Sequence, residues 1–117
     1  MKDLTAFLRH RLRVTQTRAI KDDRRCSIRL DDLLTLWDKQ AGLCAYSGRP
    51  MTYTREGKRR YQRNKTNVSI DRVDSGLGYT RDNIVLCCGV VNMMKTDMTK
   101  EEFISWITDV SHCTVAK

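Results

Sequence analysis

Residues 69–95, SIDRVDSGLGYTRDNIVLCCGVVNMMK, constrain the fold more than any other stretch of the chain. Val68, Ile70 and Val73 are apolar, with Ser69, Asp71 and Arg72 among them, which is the pattern of a short strand. The glycine-bearing run Ser75 to Gly78 marks a turn. Ile84 to Cys88 is an apolar run of strand length, and Gly89 onwards, with Val90, Val91, Met93 and Met94, reads as a short helix. The expected unit is an antiparallel pair over Val68–Val73 and Asn83–Cys88, followed by a helix. Asp71 then ends one strand, Asn83 opens the next, Asn92 sits one turn into the helix, and Lys95 follows three residues later. Such a unit gathers a carboxylate and an amide oxygen around a small cavity. With phosphate and water oxygens completing the shell, that pair suits a hard divalent cation such as Mg²⁺.

The flanks read as helices. Leu4, Phe7, Leu8 and Leu12 lie at helical spacing in a segment over 3–21, whose remaining surface carries Arg9 and Arg13. Leu30, Leu33, Leu34 and Trp37 define a second helix over 30–41, with Asp31 and Asp32 in its first turn and Gly42 as its stop. A last helix starts at Thr99, whose spacing to Glu102 fits a capping box, and its expected buried stripe is Phe103, Ile104, Ile107 and Val110, with Trp106 at the edge. A chain of 117 residues makes one domain with one modest core, which excludes a separate cofactor domain. The fold class expected is therefore α+β, one small domain in three regions: a basic helical region 1–41, a strand–strand–helix core 42–98, and a C-terminal helix within 99–117.

Charge points to the partner. Residues 1–30 carry nine basic side chains against three acidic, and residues 49–65 carry seven against one, so each block holds +6 and the rest of the chain −4, for a total of +8. Two basic blocks on a near-neutral frame are the footprint of a polyanion, with a merely solvated surface as the bland alternative. Neither block pairs its charge with a strongly amphipathic face, so a membrane is not expected. No long apolar segment and no signal-peptide core is seen, and a cytoplasmic location is expected. The five cysteines form no CxxC pair and suit reduced thiols better than a disulfide framework.

Several separate motifs, in order, resemble the HNH (His-Me finger) endonucleases, particularly the small phage-encoded ones: the knuckle CAYSGRPM at 44–51, then SIDRV, a turn ending GYT, NIVL, and VNMMK. The resemblance covers about residues 42–98 and implies a ββα-metal core in a DNA endonuclease that uses Mg²⁺, or Mn²⁺ in its place. It implies Asp71 and Asn92 as metal ligands within a catalytic set of Asp71, Arg72, Asn83 and Asn92, with Asn83 fixing the connecting loop by hydrogen bonds. Lys95 would contact phosphate, and Arg9, Arg13, Arg59, Arg60, Arg63 and Lys65 would bind nucleic acid. Tyr79 is either a packing aromatic or a phosphate donor, and Tyr61 either stacks on a base or sits in a solvated loop.

The chain departs from that family twice. Arg72 stands where the general-base His is usual, and both histidines, His10 and His112, lie outside the motif. Arginine cannot deprotonate water at neutral pH, though it can orient the water or bind the phosphate. Many relatives also hold zinc between two CxxC knuckles; here those positions read Cys44, Ser47, Cys88 and Val91, so no structural zinc is expected. The leading expectation is DNA cleavage, by nicking or by cutting both strands, the latter through a homodimer on DNA or two sequential nicks. The alternatives are a weak or inactive scaffold that only binds nucleic acid, and a small RNA-binding protein.

Overall fold

A computed structural model describes residues 3–59 and 62–113, which form a small α+β domain. Helix α1 spans Leu4–Lys21 and is capped by Asp3, whose carboxylate accepts the Thr5 N–H at 2.9 Å. It buries Phe7, Leu8, Leu12 and Ala19. Helix α2 spans Leu30–Lys39, with Asp32 accepting the Arg29 N–H at 2.8 Å and Leu33 fully buried. It stops where Ala41 and Gly42 turn to positive φ; a Cβ on Gly42 would crowd the Trp37 ring at 3.0 Å, so this stop favours glycine.

The expected hairpin is present. Strands β1 (Val68–Arg72) and β2 (Ile84–Cys88) pair antiparallel, Val68 opposite Cys88 and Asp71 opposite Val85. Helix α3 (Gly89–Lys95) packs back on both strands, completing a ββα arrangement. Helix α4 spans Lys100–His112, and its N-cap Thr99 and Glu102 form the expected capping box. Among the described residues no helix is long and apolar enough to cross a membrane.

Two polar side chains stand in for strands that this minimal sheet lacks. Gln40, just past α2, donates to the Leu86 carbonyl at 2.8 Å and accepts the Leu86 N–H at 3.0 Å, satisfying a buried β2 edge. Asn67, fully buried, accepts from Thr52 and Thr54 and donates to the Thr54 carbonyl at 2.7 Å, tying down the start of the basic loop. The segment from Leu43 to Lys65, without periodicity in sequence, is thus anchored at both ends.

Helix α4 departs from expectation. Phe103 is buried and stacks edge-on against Tyr46, but Ile104, Ile107 and Val110 are 40%, 40% and 70% exposed and Trp106 63%. The helix docks through its first turn, where the Lys100 N–H donates to the Val73 carbonyl at 3.1 Å, and its later turns run past the edge of the core. Helical spacing created the stripe, but no surface among the described residues covers it.

Candidate functional site

Strand alternation sends Asp71 and Arg72 to opposite faces of β1. Asp71 is 4% exposed, yet its side chain borders a polar cavity of about 270 Å³ shared with Asn92, Ser69 and Tyr79. Two groups hold the carboxylate. The Tyr46 hydroxyl, from the knuckle, donates to Oδ2 at 2.5 Å, and the Lys95 ammonium lies 3.4 Å from Oδ1. Burial, then the hydrogen bond to Asp71 and its charge, pushes the Tyr46 phenol up, so it stays a donor throughout the physiological range.

Lys95 corrects an expectation. It is fully buried, and besides Asp71 its Nζ donates to the Arg72 carbonyl at 2.8 Å. Lying nearly one turn beyond Asn92 on α3, it points beneath the hairpin rather than out of it. Its charge balances Asp71 inside the protein and is not available to an external phosphate.

Asn92 donates to Ser69 Oγ at 2.8 Å and weakly to the Ile70 carbonyl at 3.4 Å. With its N–H groups so engaged, its Oδ1 accepts no hydrogen bond among the described residues. Asn83 is apart from this cavity. Its Oδ1 accepts the Asp74 N–H at 2.9 Å while its Nδ2 donates to the carbonyls of Asp74 and Gly78, at 3.0 and 2.9 Å. It pins the loop between the strands, the role that the family resemblance implied for it.

Arg72 also serves the loop. One guanidinium nitrogen donates to the Ser75 carbonyl at 2.5 Å and the Leu77 carbonyl at 3.2 Å, and the group lies over the Tyr79 ring at 5.2 Å. It does not border the Asp71 cavity, which departs from the expectation that it would orient the attacking water or bind the phosphate there. Neither His10 nor His112 borders that cavity.

The knuckle brings Cys44 against β2. Its Sγ accepts the N–H groups of Ser47 and Cys88, at 3.4 and 3.3 Å. Burial raises the Cys44 thiol, but bonds from Ser47 and from the Cys88, Ser47 and Tyr46 backbones outweigh it, so the net shift is downward. Burial and the neighbouring Cys44 push Cys88 up to about 11. Among the described residues no three His, Cys, Asp or Glu side chains converge on one point. Asp71 and Asn92 bring a carboxylate and an amide oxygen to the cavity beside the hydroxyls of Thr15, Ser69, Tyr79 and Thr96, a set that fits a hard cation completing its shell with water and phosphate.

The cavity wall opposite the hairpin comes from α1, through Arg11 and Arg18. These two arginines were missed in sequence; Arg9 and Arg13, expected instead, are exposed on other sides of the helix and do not border this cavity. The available signal was position: Arg11 lies one turn beyond Phe7, with its guanidinium 5.3 Å from that ring, at the border of the buried face. Tyr46 was missed too, since nothing local announces a contact made across 25 positions of sequence. Of the expected loop residues, Arg63 and Lys65 are exposed beside Asn92, Arg59 is exposed away from it, and Arg60 and Tyr61 lie outside the described residues.

Comparison with known proteins adds little. No family model matches the chain, and no solved structure matches it. It is 27% identical over 97 residues, 83% of its length, to an uncharacterised 29.0 kDa protein of the dda-modA intergenic region of Enterobacteria phage T4. The chain spans about a third of that protein, the match covering 35% of it.

Proposed function

We propose that the protein is a metal-dependent endonuclease of the HNH type, hydrolysing phosphodiester bonds in DNA. The observation that carries this reading is the pairing of a buried, doubly held Asp71 carboxylate with the undonated Asn92 oxygen in one cavity with basic walls. Asp71 and Asn92 would hold a divalent cation, Mg²⁺ or Mn²⁺. When bound, such a cation neutralises charge on the phosphate and lowers the pKa of coordinated water. Tyr46 and Lys95 hold Asp71 in one orientation, and Asn83 and Arg72 keep the strand connection closed beside it. The likeness to a phage protein agrees with action in a host cytoplasm.

The position of Arg72 supports a second reading, a scaffold that binds nucleic acid with slow chemistry or none. Its guanidinium is occupied by loop carbonyls, and no histidine borders the cavity to serve as base, a loss worth ~10²–10⁴-fold in rate. Incubating supercoiled plasmid with Mg²⁺ or Mn²⁺, against an EDTA control, separates the two. We expect slow, metal-dependent nicking that Asp71→Ala abolishes. Full nicking by Asp71→Ala would remove the site assignment, and no nicking with either metal would leave the binding scaffold.

A further inference from the structure

We propose that Arg11 and Arg18 of α1, with Arg63 of the basic loop, form a track that holds the phosphates of one nucleic-acid strand beside Asp71 and Asn92. The proposal rests on the nuclease reading of that cavity and identifies the groups that deliver substrate to it.

The track is continuous. The Asp71 cavity shares Arg11, Arg18, Ser69, Asn92 and Met93 with an adjoining one of about 630 Å³, into which Arg63 and Lys65 also project. A third cavity, of about 500 Å³, is again walled by Arg11, Arg18 and Arg63 and leads out past His10 and Lys58. Helix α1 forms one side throughout and the basic loop the other. Arg11 and Arg18 lie seven positions apart, almost two full turns, so both face this trough. Arg9 sits about 200° around the helix from Arg11 and borders none of these cavities.

Charge in the trough is unbalanced. Arg11 Nη2 meets Glu56 at 3.3 Å, but Nε of the same guanidinium is buried without an acceptor, the one such side-chain atom among the described residues. Burial lowers the Arg11 pKa; Glu56 opposes that, and nearby Arg63 and Arg18 add to it. Glu56 forms an ion pair with neither Arg18 nor Arg63, and its second oxygen accepts the Asn64 N–H at 3.1 Å and Asn67 Nδ2 at 2.9 Å. It is a strut that fixes Arg11 and the loop. Arg18 pairs with no carboxylate among the described residues. Three converging guanidinium groups with one committed carboxylate repel each other at a cost to folding that a polyanion relieves. Their planar donor forks match phosphate oxygens.

The test is fluorescence anisotropy of a short labelled single-stranded DNA, in EDTA so that nothing is cleaved, over a range of salt. Arg18→Gln is expected to weaken binding about tenfold and to flatten the log–log salt slope by roughly 0.7. Arg9→Gln, the same charge change on the same helix, should leave both near the parent values. Arg11→Gln should weaken binding at least as much, but it also strips Glu56 of its partner, so Arg18→Gln decides. Parent-like affinity and slope for Arg18→Gln, or an equal loss for Arg9→Gln, would overturn the track. Plasmid nicking by the parent protein reads the nuclease proposal separately. Binding that depends on Arg18 without nicking leaves the track and removes the nuclease; nicking with no effect of Arg18→Gln on binding removes the track alone.

Discussion

The two charged regions of this molecule, the Asp71–Lys95 cluster under the hairpin and the arginines along α1, differ in how their charge is answered. In the first, the carboxylate is matched by one ammonium and one phenol, and the ammonium also by a backbone carbonyl, all from this chain and largely out of water. In the second, Arg11, Arg18 and Arg63 share a trough with a carboxylate already committed elsewhere. Closed charge of the first kind builds and orients a site, so perturbing it should appear as lost stability. Open charge of the second kind is an invitation to an external anion, so perturbing it should appear in binding and in its response to salt.

The sharpest way to break that contrast is Lys95→Met. It leaves Asp71 buried with Tyr46 as its main partner, and removing one member of a buried ion pair costs about 3–5 kcal/mol. We expect a large drop in Tm under chemical or thermal unfolding, and an unchanged Tm would mean that the cluster is hydrated.

Next comes salt. With four phosphate contacts, Arg11, Arg18, Arg63 and Lys65, at roughly 0.9 in log–log slope each, affinity for duplex DNA should fall about a hundredfold between about 50 and 200 mM salt. The Asp71–Lys95 pair, screened by protein, should lose little over the same range, so Tm measured in parallel should hardly move. A Tm that falls with the affinity would erase the distinction.

A smaller effect is expected at Tyr46. Tyr46→Phe removes a hydrogen bond to a carboxylate, worth about 1.5–3 kcal/mol, while leaving the ring that stacks on Phe103. Its pH signature has a definite sign. Burial and Asp71 raise the Tyr46 phenol, and burial raises Cys88 to about 11, each above its unfolded value, so their stabilisation is complete below those unfolded values and declines as pH rises through the folded ones. Cys44, shifted down, works in the opposite sense and offsets part of the decline. Tm should hold to about pH 9 and then fall, less steeply in Tyr46→Phe. A parent Tm that climbs between about pH 9 and 11 would contradict the placement of these groups.

Much of the fold was legible because its signals are local. The strand–turn–strand–helix order, the α4 capping box and the stop after α2 are each written within a few residues of where they act. The role of Asn83 came from the family resemblance, and its hydrogen bonds are likewise local, closing a loop to Asp74 and Gly78. The α4 stripe shows the limit: Ile104, Ile107 and Val110 have the right spacing, but spacing makes a face and does not supply a surface to cover it.

By itself the sequence determined the ββα order, the presence of an acid and an amide at its strand end and helix turn, and an excess of positive charge. Tertiary structure alone decided which charges meet. It turned Lys95 inward to Asp71, turned Arg72 toward the loop carbonyls, brought Tyr46 across from the knuckle, and chose Arg11 and Arg18 over Arg9 and Arg13 to face the cavity. The reason is physical. Hydrogen-bonded turns and caps depend on neighbours in the chain, whereas the partner of a buried or converging charge is set by how whole elements pack.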